Sequence, residues 1–540
     1  MSSDELATMA QKAARGGLFL FVGNAISTVI LAIGTIIVAR LVGPSGYGLY
    51  TVALVIPVFL VSLSDGGMNF AVVRLPARLR SEGNYARANM VLRLGLLIKL
   101  TSSTVAFLIC YAFSTAIAAI MLNRPELAGL LQLASLVILF QAIFDGTNNS
   151  FIGKDLMQYS ARAQIIMSIL KCTLGPALIL IGFGIGGAIC GYVLALAAAG
   201  LTSAITLFGK SAHSSEQTSY SVSKELRGLL AYGLPLYFAS ISNIFMTQYQ
   251  GIVLPHFASN IEIGNFNASW NFNALLMILT YPISMAIFPM FSKMDPKNRS
   301  GELARAFHLA VKYSSLIMIP ASVAVMVFSR ELIYLVYGSA YSLAPRYLVW
   351  MSAIYLLAAI GYTVLGNFLN GLAETKTVVR MSVLAVALYV PLGPALALLW
   401  GPYGLLVADI LSTATSVLYG ISHISARFDA RPDFRVSGRI LLAALGAAVP
   451  TVGLIQFDGS GIGVFNLVGG GLLYLALYLT FVPILGAVDR QDILNLRSLL
   501  AVTPAISALA NPLFNYESRI LSATKRKARE VKGTSTHGVP

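Results

Sequence analysis

LGPALIL, residues Leu174 to Leu180, returns as LGPALAL at Leu392 to Leu398, 218 positions further along the chain. The same gapless shift carries Gly46 onto Gly264, Gly83 onto Gly301, and Ala86-Arg87-Ala88 onto Ala304-Arg305-Ala306. It also carries Asn149, Gly153 and Arg162 onto Asn367, Gly371 and Arg380. The chain therefore reads as a duplication. In a strongly apolar protein, a long internal repeat points to a transporter built from two matching halves.

The composition supplies that apolarity. Of the 540 residues, 57% are hydrophobic and 11% charged, against about 25% charged in soluble domains, which excludes a water-soluble globule of this length. A helix needs roughly 20 apolar residues to cross the hydrocarbon of a bilayer. Counting such stretches gives fourteen candidate spans, at 16–38, 48–73, 94–122, 127–152, 163–181, 185–208, 228–254, 264–291, 309–328, 346–369, 378–399, 402–424, 438–457 and 462–486. The expectation is an all-α integral membrane protein of about 14 transmembrane helices, two parallel six-helix repeats forming two lobes plus two extra C-terminal helices. The first span is too long for a signal-peptide core and is expected to be retained.

The cations give the orientation. Lys12 and Arg15 precede the first span, and Arg74, Arg78, Arg80, Arg87 and Arg93 follow the second. Every second loop after that is again basic, whereas the intervening loops hold only Arg40, Arg124, Arg330 and Arg346. By the positive-inside rule both termini are expected in the cytoplasm. The net charge of +15 is thus mostly topology information, and no nucleic-acid partner is expected. The expected divisions are a cytoplasmic N-terminus at 1–15, an N-lobe at 16–208, a cytoplasmic linker at 209–227 and a C-lobe at 228–424. A basic loop at 425–437, the two added spans at 438–486 and a cytoplasmic tail at 487–540 follow. Because six spans separate the copies, the halves share one orientation, with a pseudo-twofold axis along the membrane normal and a cavity near the midplane.

The stretch ARLVGPSGYGLYTVAL from Ala39 to Leu54, the Asp65-Gly66-Gly67 break inside the second span, and YGLPLYF from Tyr232 to Phe238 carry a family likeness. They resemble polysaccharide flippases of the multidrug, oligosaccharidyl-lipid and polysaccharide exporter superfamily, over most of the first 425 residues. The second half departs from the usual pattern at Gly264-Asn265-Phe266. The resemblance implies movement of a polyprenyl-pyrophosphate-linked oligosaccharide from the cytoplasmic to the outer leaflet of the cell membrane. Such a cargo calls for a polar cavity for the sugars, a cation for the pyrophosphate and a side opening for the tail.

Lys171 lies nine residues beyond Arg162, roughly 13 Å deeper at the helical rise, so it is expected near the midplane. An intramembrane charge is a functional candidate by default, the alternative being a lysine paired with a carboxylate for packing. Lys99 is six residues past Arg93, close enough for its stem to snorkel to the interface. Asp65 and Asp409 are candidates for binding a coupling cation, or for a charge pair, Asp65 with Lys171 or Lys99. No bound cofactor is expected; coupling to a sodium or proton gradient is the open alternative. Under the 218-residue shift Lys171, Lys99, Asp65 and Asp409 fall on Tyr389, Ile317, Ile283 and Gly191, so scaffold is duplicated and charge is not. Asn243, Gln248, Asn267 and Asn271 are candidate sugar contacts, the last two one helical turn apart. Helix-to-helix hydrogen bonding is the alternative for them.

Cys110, Cys172 and Cys190 lack disulfide or zinc spacing, and the Gly182–Gly187 run lacks a nucleotide-loop context. Ile493, Leu494, Leu496, Leu499 and Leu500 suggest an amphipathic segment lying on the membrane, and Lys525, Arg526, Lys527, Arg529 and Lys532 suit anionic headgroups. The expected partners are a lipid-linked oligosaccharide, membrane lipids and polysaccharide-assembly enzymes, with the chain a monomer. Two other functions fit the hydrophobicity: a cation-coupled multidrug exporter, and a membrane glycosyltransferase or polymerase. The second needs a catalytic loop that the short outer segments, 255–263 and 329–345 among the longest, do not provide.

Overall fold

The computed structural model describes residues 3–209, 221–272, 276, 291, 300–457, 463–500, 511–513 and 515–522. Every regular element among them is helical. The main helices are α1 (Ser3–Ser64), α2 (Met68–Ser81), α3 (Tyr85–Ala112), α4 (Ala128–Gly153), α5 (Met157–Leu178), α6 (Gly184–Gly209) and α7 (Val222–Val253). They continue with α8 (Ser300–Val327), α9 (Ser329–Tyr337), α10 (Ala344–Ala353), α11 (Tyr362–Gly371), α12 (Thr375–Trp400) and α13 (Pro402–Phe428). The last three are α14 (Phe434–Phe457), α15 (Val464–Ile484) and α16 (Arg490–Leu500).

Nine helical stretches among the described residues are long and apolar enough to cross a membrane, and ten if the pair 344–360 and 362–371, bent by 52°, is one span. Two of the nine, Arg15–Ser81 at 67 residues and Met157–Gly209 at 53, would extend about 100 and 80 Å if straight, far beyond one bilayer crossing. Both are broken at glycines in conformations that L side chains rarely adopt: Gly43 (φ 68) in the first and Gly182 (φ 105) in the second. Those breaks fall between spans that the sequence places separately. The described residues thus establish a multi-pass helical membrane protein, and the eighth span, 264–291, lies largely outside them.

The duplication is written into the helix bounds. Adding 218 to the start of α5 gives the start of α12, adding it to the start of α6 gives that of α13, and adding it to the end of α4 gives the end of α11. The turn after α4 repeats as well. Leu156 N–H bonds Phe151 C=O at 2.8 Å and Asp155 N–H bonds Ile152 C=O at 3.0 Å. Their shifted counterparts, Glu374 to Leu369 at 2.9 Å and Ala373 to Asn370 at 3.1 Å, form the same closure, a left-handed Schellman cap.

The chain divides into two compact units: Met1–Ala268 with Ala397–Leu405, and Ser269–Leu396 with Leu406–Pro540. In the first, α7 packs on α2 and α3, its Leu229 joining a buried cluster with Met68, Ala71, Ala88 and Val91. In the second, the cluster of Met318, Ile319, Ile440, Ala444, Tyr474 and Tyr478 binds α14 and α15 to α8.

Pro320 explains part of that packing. A proline has no N–H for the carbonyl four residues back, and in hydrocarbon such an orphan costs several kcal/mol. The Tyr478 hydroxyl of α15 donates to that carbonyl, Leu316 C=O, at 2.9 Å, and Tyr474 donates to Pro320 C=O at 3.0 Å. α15, outside the duplication, therefore repairs the backbone of a helix inside it.

The tail differs from its expected place flat on a membrane. Ile493 is 4% exposed inside the second unit's core cluster, and the buried Asp492 carboxylate meets the Lys312 ammonium of α8 at 2.5 Å. Asp492 also caps its own helix: its Oδ2 accepts from Asp489 N–H, and its N–H donates to Asp489 Oδ1. Leu494 stays exposed. The side chains of Leu496, Leu499 and Leu500, and the basic residues 525–532, lie outside the described residues.

Candidate functional site

Two charged clusters lie in the first unit, joined by one face of α4. The first forms where α1 ends at Ser64 and the chain turns through Gly66 (φ 54) and Gly67 (φ 80) before α2 begins. Glycine is required at 67 on two counts. Its φ is left-handed, and a Cβ there would run into the backbone of Gly233 on α7. The turn aims Asp65 inward, where Oδ1 accepts from Lys99 Nζ at 2.9 Å. Lys99 also donates to Asn69 Oδ1 at 2.6 Å, and Asn149 Nδ2 reaches the same oxygen at 2.9 Å.

Lys99 is 3% exposed, so its stem does not snorkel to an interface. With a carboxylate and an amide on a buried ammonium, this cluster is a closed, mutually satisfied network. Of the two partners open to Asp65, the structure selects Lys99.

The second cluster surrounds Lys171 on α5. Its Nζ lies 3.5 Å from the centroid of the Tyr192 ring of α6, and no carboxylate approaches it within ion-pair distance among the described residues. The Tyr192 hydroxyl donates to Gln141 Oε1 at 3.3 Å, and Gln141 Nε2 donates to Asp145 Oδ1 at 2.8 Å. Lys171 borders a small cavity with Thr35, Tyr50 and Cys172. At about 10 Å³ it has room for one water and none for a sugar.

Gln141, Asp145 and Asn149 succeed one another at four-residue spacing on α4, and so share one helix face. Asn149 donates to both Asn69 Oδ1 and Asp145 C=O, which makes this face the bridge between the clusters. Asp145 is a functional candidate that the span-by-span reading passes over. Its signal is nonetheless present in the sequence, as an acid inside the apolar run 127–152.

The remaining candidates are scattered. Asn267 donates to Thr51 Oγ1 at 3.2 Å and to Ile263 C=O at 2.9 Å. Asn271, in the second unit, donates to the Tyr337 hydroxyl at 3.0 Å. Each has a protein partner of the helix-bonding kind. Gln248 sits half-buried on α7, and the side chain of Asn243 lies outside the described residues. Asp409, on α13 of the second unit, is bonded to Thr413 one turn on and has no ion-pair partner among the described residues. No group of three or more metal-ligating side chains occurs among the described residues.

A multi-pass helical bundle with duplicated halves, holding paired and unpaired charges inside its spans, defines the class: a membrane transporter fold. Residues 13–295, just over half of the chain, match the sequence model of the family described as polysaccharide biosynthesis protein, and residues 235–395 match that of MatE. The chain belongs to the polysaccharide biosynthesis protein family, within the exporter superfamily that its motifs resemble.

Among its relatives is the probable low-salt glycan biosynthesis flippase Agl15 of Haloferax volcanii, 25% identical over 380 residues, covering 65% of this chain and 79% of that one. The lipid II flippase MurJ of Bacillus subtilis is 22% identical over 479 residues, covering 81% and 87%. Among solved structures, an inward closed conformation of lipid II flippase MurJ superimposes with a TM-score of 0.69 at 16% identity, covering 86% of this chain and 98% of that one. An inward-facing multidrug resistance MATE transporter gives 0.58 at 16%, covering 75% and 98%. These two likenesses establish the fold.

Proposed function

We propose that this protein is a flippase that carries a lipid-linked oligosaccharide, with pyrophosphate as the link, across the cell membrane by alternating access. It carries the cargo from the cytoplasmic to the outer leaflet, with both termini cytoplasmic, and acts as a transporter rather than an enzyme. The observation that carries this reading is Lys171: an ammonium within a span, facing an aromatic ring instead of a carboxylate. A cation so placed is costly unless something else compensates it, and an anionic cargo group supplies that compensation. The relatives named as flippases support the same reading.

The exporter alternative draws on the MatE match over residues 235–395. If an ion gradient drives either function, Asp145 and Asp409 suit the coupling role better than Asp65, whose carboxylate is engaged by Lys99. The test is reconstitution in vesicles with defined polyprenyl-pyrophosphate oligosaccharides, measuring how fast the glycan becomes accessible to an impermeant enzyme on the far side. Lys171→Ala is expected to lower the rate at least about tenfold while the protein remains folded. Full transport by a folded Lys171→Ala protein would remove the lysine from the site, and drug-stimulated ion exchange without glycan movement would favour the exporter.

A further inference from the structure

Lys99 and Lys171 lie in the same unit, and the chain treats them in opposite ways. Lys99 is neutralised by Asp65 at 2.9 Å and donates a further hydrogen bond to the Asn69 amide oxygen. Lys171 has no carboxylate within ion-pair distance among the described residues, and its ammonium is given the face of Tyr192. The difference is chemical. A carboxylate cancels a formal charge, whereas an aromatic face stabilises a desolvated cation by about 2 kcal/mol and leaves the net charge at +1.

The ring is also held in position. Its hydroxyl donates to Gln141 Oε1 while Gln141 Nε2 donates to Asp145 Oδ1, so both ends of the amide are fixed and its orientation is determined. Gln141, its amide fixed by Asp145, therefore ties the ring over Lys171. Among the residues lining the adjacent cavity, Lys171 is the charged one, beside Thr35, Tyr50 and Cys172.

We propose that Tyr192, positioned by Gln141 and Asp145, is the specificity-determining residue that keeps Lys171 charged and unneutralised, so that the site selects lipids by the negative charge of the headgroup. This rests on the reading of Lys171 as the cargo cation, and it adds the residue that sets charge selectivity.

The experiment measures binding of two probes to the purified full-length protein: a polyprenyl diphosphate and the uncharged polyprenol of equal chain length. The wild type is expected to prefer the diphosphate by at least about tenfold. Tyr192→Leu, which removes the ring face, is expected to lose most of that preference through weaker diphosphate binding, with polyprenol binding unchanged. Tyr192→Phe keeps the ring and its volume, so it is expected to hold the preference within about threefold and serves as the folded control. Gln141→Leu breaks the same hydroxyl tether that Tyr192→Phe lacks while keeping the ring, so it should match Tyr192→Phe.

A merely structural tyrosine would weaken both lipids together. Equal loss for the two probes, an undiminished preference in Tyr192→Leu, or a wild type without preference would each overturn the proposal. A wild type that prefers the diphosphate but moves no lipid-linked glycan in vesicles would sink the flippase reading and leave this one standing.

Discussion

Asp155 and Ala373, 218 residues apart, occupy the same left-handed backbone conformation, at φ 59 and φ 58. Each closes the same cap after matching helices, α4 in the first repeat and α11 in the second. The side chains have diverged and the backbone has not, because the cap is set by hydrogen bonds between main-chain groups.

That pair yields a stability prediction. A left-handed L-alanine costs roughly 1–2 kcal/mol, whereas aspartate tolerates the region better. Ala373→Gly should raise the detergent melting temperature, and Asp155→Gly should raise it less. A drop for Ala373→Gly would show that the Cβ is needed for packing.

In the Asp65–Lys99 pair the lysine is buried and the carboxylate largely shielded, so removing one member leaves an uncompensated charge. Lys99→Met or Asp65→Leu alone should cost about 3–5 kcal/mol. Lys99→Met combined with Asp65→Leu should recover more than half of that, because the pair as a whole contributes little net energy. Thermal melts of the four proteins form the double-mutant cycle; additive losses would contradict the pairing.

Glu517 makes the tail's attachment sensitive to pH. It is 7% exposed, and burial, followed by the nearby Asp492 carboxylate, pushes it from 4.5 up to about 7. The docked state therefore binds a proton more tightly than the released state. Docking is fully favoured below pH 4.5 and weakens as pH rises to about 7, by up to roughly 3 kcal/mol. Ile493→Cys, buried when the tail is docked, should react with a water-soluble maleimide faster at pH 8 than at pH 5.5, after correction for thiolate fraction with a free peptide. Glu517→Gln should flatten that difference; an unchanged pH response in Glu517→Gln would assign it to another group.

Much of the candidate site was legible one residue at a time. Lys171, Lys99 and Asp65 declare themselves because charge is costly inside an apolar span. Their partners do not. Nothing in the spacing tells whether Asp65 meets Lys99 or Lys171, since the choice depends on how α1 breaks at Gly66-Gly67 and how α3 packs beside it. Asp145 belongs to the same class of signal, yet its importance comes from its neighbours Gln141 and Asn149, which share a helix face. The tail shows the opposite error: the leucine pattern around Ile493 suits a lipid surface, but the partner that buries Asp492 is Lys312, 180 residues away.

The sequence by itself determined the membrane class, the duplication and the positions at which charge enters the spans. These follow from local quantities: hydropathy over about 20 residues, a fixed repeat distance, and the cost of an ion in hydrocarbon. Only the tertiary structure decided that Lys99 is neutralised while Lys171 is not, and that the added helix α15 restores the backbone bonding lost at Pro320. Those outcomes depend on which side chain arrives within 3 or 4 Å of another, and a linear pattern does not carry that distance.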